Sequence, residues 1–359
     1  MMMYLRFFVI LLVLCGCSGP EPLRLNHIQI IGGHNSYKDA IERPLMGLLL
    51  QQDSGTMALD YRHLPLTAQL EIGIRGFEID AVHDPEGGRF KNPVGIRLLD
   101  SLGLPFIPFD PEGEMDAPGF KVLHVPDIDF RSHCLTFIGC LSEMKLWSQD
   151  HPDHVPIIIT INPKNSGVGR PGFTEVIPFT KQVWEAFDAE IRSVFGEEEL
   201  ITPDQVRGDY EDLRSAVLEQ GWPVLDAARG RFLFVLNAGK ETIEAYLAGG
   251  MKGRPMFVDV GPDHPAASFF IMNNPEEQKE EIQALVRQGF MVRTRADAGT
   301  VEARTGDYTR FTAAQESGAH LISTDYYVQA LSPNKDFEIA FDDKTYSRCN
   351  PLLKPQCEL

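Results

Sequence analysis

What most constrains the fold is a repeated alternation of short aliphatic runs with longer amphipathic stretches. The runs fall at residues 28–33 (IQIIGG), 76–82 (GFEIDAV), 120–125 (FKVLHV), 155–162 (VPIIITIN), 231–237 (RFLFVLN), 256–260 (MFVDV), 290–297 (FMVRTRAD) and 320–326 (HLISTDY). Each has strand length and β-branched or aliphatic content, and the segments between them, such as ETIEAYLAGG and PEEQKEEIQALVRQG, carry helical spacing and end in Gly. Strands alternating with helices pair in parallel, and eight of them predict an α/β chain closed into one TIM-type (β/α)8 barrel. A doubly wound open sheet competes, but no G-x-G-x-x-G follows the first run. Residues 84–119, rich in Gly, Pro and acids and without periodicity, predict a long loop after strand two beside the barrel mouth.

The N-terminus carries a different signal. Arg6 precedes an apolar run, Phe7 to Leu14, too short to span a bilayer but long enough for the core of an export signal. Leu14-Cys15-Gly16-Cys17 resembles a bacterial lipobox, with Cys17 as the lipidated residue. The expected organisation is a lipoprotein signal over 1–16, a tether over 17–26, the barrel over 27–335 and a tail over 336–359. The expected location is exported and lipid-anchored to a membrane, periplasmic or at the cell surface. In such an oxidising compartment Cys134, Cys140, Cys349 and Cys357 can pair. Three pairings are open, the local one being simplest, and a disulfide could then close the tail.

A formal net charge of −18 excludes a general nucleic-acid binder and broad adhesion to anionic membranes, both of which need clustered Lys and Arg. Phosphate chemistry would have to be local. Polar groups do collect at strand C-termini, where barrel enzymes place their sites. Glu78 and Asp80 share one face of strand two, because side chains alternate with period two. Two adjacent inward carboxylates call for a cation, and Ca²⁺ accepts carboxylate and amide oxygens together, so Asn35 and Asn162 could complete the set. An ion pair with Arg75 or Lys164 is the purely structural alternative. His34 and His124, flanking that position, suit phosphodiester cleavage, one taking a proton and the other giving one. No G-x-S-x-G or H-E-x-x-H motif supports a serine hydrolase or a zinc protease.

Taken together, GHNSY at 33–37, GFEID at 76–80, VLHV at 122–125 and PIIITINPK at 156–164 resemble the catalytic barrel of phosphoinositide-specific phospholipase C, above all its bacterial calcium-dependent branch. The resemblance extends over nearly the whole mature chain. It implies a distorted TIM barrel, His34 as the first catalytic histidine, His124 as the general acid, and Asn35, Glu78 and Asp80 as calcium ligands. The implied reaction is attack of the inositol 2-hydroxyl on phosphorus. Asn162 departs from the acidic residue usual in the family, and a weaker calcium site is expected there. Lys164 and Arg295 are candidates for holding substrate phosphate or ring hydroxyls, and Tyr327 for covering the sugar ring. The expected partners are an inositol phosphodiester substrate and, through Cys17, a membrane. Two other readings stand beside this one. A glycerophosphodiester phosphodiesterase also uses two histidines and Glu-x-Asp, but the residues after His34 are Asn-Ser-Tyr, unlike that family. A surface lipoprotein could also keep the barrel only to bind inositol or glycan groups.

Overall fold

The computed structural model describes residues 21–359; the export signal and Cys17 lie outside the described residues. Eight parallel strands form the barrel wall: β1 (Ile28–Gly33), β2 (Gly76–Asp84), β4 (Ile157–Pro163), β5 (Phe232–Leu236), β6 (Met256–Val258), β7 (Phe269–Ile271), β8 (Met291–Arg295) and β9 (Leu321–Thr324). They run in the order β6-β5-β4-β2-β1-β9-β8-β7, and no hydrogen-bonded ladder joins β6 to β7, so the barrel is nearly closed, with one seam. Two further strands attach antiparallel: β3 (Gly119–Lys121) to the outer end of β2, and β10 (Ser347–Cys349) to β1.

The total of eight agrees with the sequence reading, but the membership differs. The run at 120–125 was expected as the third barrel strand. Its first residues instead make β3, whose Gly119 pairs with Asp84 after β2 has left the barrel. The missing wall strand is β7, three residues of a buried apolar run that shows no alternation because a parallel barrel strand is covered on both faces. Within 84–119 the chain forms a helix, Val94–Ser101, and then returns to β2 through β3, so this stretch is an excursion from one strand rather than an open loop.

Period-two alternation separates the two faces of the wall. On β2, Phe77, Ile79 and Ala81 pack with Phe137 and Leu141 of helix Phe137–Asp150 and with Trp184 and Phe187 of helix Lys181–Val194, which leaves Glu78 and Asp80 facing inward. Both helices start on a threonine cap, Thr136 accepting from Gly139 N–H and Thr180 from Val183 N–H. β1 and β2 approach closely where Gly32 faces Gly76: a Cβ on Gly76 would lie 2.9 Å from Gly32 Cα and collide with Leu321.

The folded unit runs past both expected boundaries. Leu25 and Asn26 are buried at its start, and Phe337, Ile339, Phe341 and Tyr346 join the main core near its end. Disulfides link Cys134 to Cys140 and Cys349 to Cys357, the local pairing.

Candidate active site

β1 ends at Gly33, and His34 continues it, donating its backbone N–H to Thr324 O at 3.0 Å. Asn35 then turns the chain with φ 50°, a left-handed conformation that asparagine tolerates better than most residues. The turn is fixed by Ser36, whose N–H donates to Glu78 O and whose hydroxyl accepts from Glu78 N–H. Asp325, one residue past β9, meets the His34 ring: its Oδ1 lies 2.9 Å from Nδ1. Arg295 donates to Nε2 of the same ring at 3.1 Å and to Asp325 at 3.3 Å. These partners fix the tautomer, with the proton on Nδ1 and a lone pair on Nε2. Burial, and then Arg295, lower the His34 pKa against the pull of Asp325. Burial would raise the Asp325 pKa, but His34 and Arg295 outweigh it and hold the carboxyl well below its ordinary value. Asp297 supports the arrangement from behind, accepting from Asp325 N–H and the Thr324 hydroxyl.

A second histidine has the same equipment. His124 follows β3 on the segment that crosses from β2 to β4, not on a wall strand. Its Nδ1 lies 2.7 Å from Oδ2 of the buried Asp129. Lys38 Nζ approaches the other Asp129 oxygen at 3.2 Å and donates to Tyr61 O at 2.8 Å, while the Tyr61 hydroxyl accepts from Asn35 Nδ2. Burial pushes the Asp129 carboxyl up, yet Lys38 and His124 leave it lowered overall. One polar chain therefore runs from His124 to the residue beside His34, and Tyr61 and His34 have ring centroids 5.9 Å apart.

Register sets Asp80 opposite Asn162 on β4, and Ser36 ties the Asn35 turn to Glu78. Each carboxylate already has a protein cation. Arg293 donates to Glu78 at 2.5 Å, and Lys164 Nζ lies 2.6 Å from Asp80 Oδ2, close in distance but without hydrogen-bond alignment. Of the structural alternative, the Lys164 pairing is realised; Arg75 instead donates to the Leu70 and Ile74 carbonyls. Both oxygens of Asp80 and Oδ1 of Asn35 are buried and receive no hydrogen bond. Buried oxygens without donors, from one carboxylate and one amide, are what a hard cation accepts, so the donor set fits Ca²⁺. Among the described residues no group of three His, Cys, Asp or Glu could hold a metal, so such a site depends on amide oxygens.

Tyr327 departs from expectation. It is fully buried, stacked on His63 at 5.4 Å with its hydroxyl accepting from Leu64 N–H, and offers no surface to a sugar ring. The sequence reading also missed His63 and Arg293. His63 donates from Nε2 to His34 O at 2.6 Å, and burial keeps it neutral by lowering its pKa to about 4. Arg293 had a signal: in MVRTR it alternates with Arg295 and must share its inward face.

A parallel barrel with two carboxylate-backed histidines and buried, donor-poor carboxylate and amide oxygens has the apparatus of a barrel phosphodiesterase. A family model described as phosphoinositide phospholipase C, Ca²⁺-dependent, matches residues 23–351, and the chain belongs to that family of phosphoric diester hydrolases. The fold is similar to that of the calcium-dependent phosphoinositol-specific phospholipase C of a Pseudomonas species, with TM-score 0.56, 13% identity, and 91% of this chain and 96% of that one covered. It is likewise similar to the Ca²⁺-dependent phosphatidylinositol-specific phospholipase C of Streptomyces antibioticus, with TM-score 0.54, 16% identity, and 88% and 98% covered. Sequence comparison with curated proteins gives no match.

Proposed function

We propose that the chain cleaves phosphatidylinositol or a related inositol phosphodiester by general acid-base catalysis between His34 and His124. The observation that carries the reading is that each histidine has a buried carboxylate on Nδ1, Asp325 for one and Asp129 for the other. Each Nε2 is thereby left to handle the reaction's protons. His34 Nε2 takes the proton of the inositol 2-hydroxyl as its oxygen bonds to phosphorus. The bond from phosphorus to the leaving glycerol oxygen breaks as His124 Nε2 donates a proton to that oxygen, giving a cyclic phosphate and diacylglycerol. Asp129, bonded to Nδ1, orients the His124 ring so that Nε2 faces the leaving oxygen. Arg295 gives up the His34 lone pair when substrate phosphate enters and turns its guanidinium to that phosphate.

Asn35, Glu78, Asp80 and Asn162 are the residues that would hold Ca²⁺, which when bound supplies Lewis-acid neutralisation of charge on the phosphoryl oxygens. Anchoring through Cys17 after export is the location we propose, and the two disulfides accord with an oxidising compartment. Family membership leaves the glycerophosphodiester reading without a supporting observation, and two complete histidine-carboxylate pairs speak against a pure binding protein.

The test is release of water-soluble inositol phosphate from phosphatidylinositol vesicles, followed by phosphorus NMR. His34→Ala and His124→Ala should each lower kcat at least ~100-fold. Unchanged turnover in either variant overturns the assignment, and equal rates in excess EGTA remove calcium from it.

A further inference from the structure

The calcium reading leaves one feature unexplained: both carboxylates at the cation position are already neutralised from within the protein. Glu78 meets Arg293 and Asp80 meets Lys164, so the four side chains sum to no charge, and the amides of Asn35 and Asn162 add none. A dication entering such a cluster gains no net carboxylate attraction until a protein cation leaves.

The two internal cations differ in their freedom to leave. Arg293 is buried and spreads its guanidinium over Glu78, Asn273 and Ser323, three contacts in a planar fork that hold it in place. Lys164 stands at the end of β4, where its backbone N–H still bonds Ala81 O at 2.9 Å and fixes its Cα beside β2. Its side chain has one charged partner, is one-fifth exposed and carries its ammonium on a flexible stem. The ammonium sits against Asp80 Oδ2, an oxygen with no other donor inside a fully buried residue. Asp80 is thus the one carboxylate whose counter-ion can swing out to solvent, and its oxygens are left open to another cation.

We propose that Lys164 is a displaceable internal counter-ion: its ammonium occupies the Asp80 carboxylate in the calcium-free protein and must be expelled before a divalent cation can bind. The inference rests on the calcium reading above and adds a residue that opposes the metal. It also places the effect of Asn162. A glutamate there would restore the net negative charge that Lys164 removes.

The experiment is isothermal titration of chelator-stripped protein with CaCl₂ at fixed ionic strength, without substrate, for the wild type, Lys164→Met, Lys164→Gln and Asn162→Glu. Far-ultraviolet circular dichroism of each variant confirms that it is folded, and phosphatidylinositol cleavage by the wild type is followed in parallel with EGTA or CaCl₂. Removing one positive charge in contact with a ligand carboxylate should tighten calcium binding at least about tenfold in both Lys164 variants. Asn162→Glu should tighten it by a similar factor. Folded Lys164 variants that bind calcium no more tightly than wild type, while Asn162→Glu does, overturn the counter-ion role and leave the cation site standing. If no variant binds calcium and the wild type turns over fully in EGTA, the calcium reading falls with the inference, and the two-histidine reading survives.

Discussion

Asp325 sets the state of His34 by charge and by position, and the two contributions can be separated. Asp325→Asn keeps the shape and a hydrogen-bond partner for Nδ1 but removes the charge that stabilises His34 once it has taken a proton. We expect kcat to fall at least ~100-fold with an unchanged circular dichroism spectrum. A second residue-scale expectation concerns stability. Arg293→Met would leave Glu78 buried without its cation, at a cost of about 3–5 kcal/mol in urea unfolding. Arg293→Lys should recover little of it, because one ammonium cannot span Glu78, Asn273 and Ser323. At this scale the sequence was legible where chemistry and spacing coincide. His34 just past the end of β1 and Glu78 and Asp80 alternating on one face of β2 form a pattern few structural roles demand. Tyr327 was not legible, because nothing in STDYY says that both tyrosines turn into the core, and the packing partner that settles it for Tyr327, His63, is distant in sequence.

Among the elements, the junction of β1 with β2 is the most exposed to damage. Gly76→Ala places a methyl against Gly32 Cα and Leu321, and neither strand can retreat, since β1 is also paired to β9 and β2 to β4. A loss of ~1–3 kcal/mol or more is expected in chemical denaturation, with reduced activity because His34 and Glu78 ride on these two strands. The disulfide between Cys134 and Cys140 ties the segment carrying Asp129 to the start of helix Phe137–Asp150. Replacing both cysteines by serine should cost roughly 2 kcal/mol by the same measurement. Strand alternation could be read for long elements such as β4. It failed for β7, too short and too uniformly apolar to show a period, and for residues 120–125, where composition is that of a wall strand but pairing is decided by the return of the chain to β2. Composition specifies that a segment is extended, whereas its partner is chosen by the rest of the chain.

For the whole molecule, buried titratable groups of opposite sense predict an unusual response to acid. Burial lowers His63 and His154 to about 4 and His320 to about 3. Below pH ~6.5 the unfolded chain therefore binds protons that the folded one refuses, and stability falls with pH. Burial also raises Asp188 and Asp259 to about 6 and Glu190 to about 7. Between those values and the ordinary carboxylate range the folded state binds the extra protons, and stability rises as pH falls. His27, His34 and His83 are lowered as well and Asp297 is raised, so the two senses oppose each other and flatten stability from pH ~7 to ~4.5. Below that the lowered carboxyls of Asp129 and Asp325 must be protonated, and stability should drop steeply. Urea midpoints at pH 7.5, 6, 5 and 4 check this. A steady decline from pH 7 contradicts it, and Glu190→Gln should tilt the plateau downward toward acid, since one of the offsetting carboxyls is gone.

The seam between β6 and β7 gives the barrel a weak side and a strong side. In strand order the seam falls at the two ends, while β4, β2, β1, β9 and β8, which carry or flank His34, Glu78, Asp80, Asn162 and Arg295, lie together with ladders on either hand. Opening the wall at its unlaced edge therefore need not disturb the arc that does the chemistry. Amide exchange should begin at Met256–Val258 and Phe269–Ile271 and reach the catalytic arc last. A barrel built this way can breathe while it works, and early heat damage would show as lost edges in a protein that still turns over.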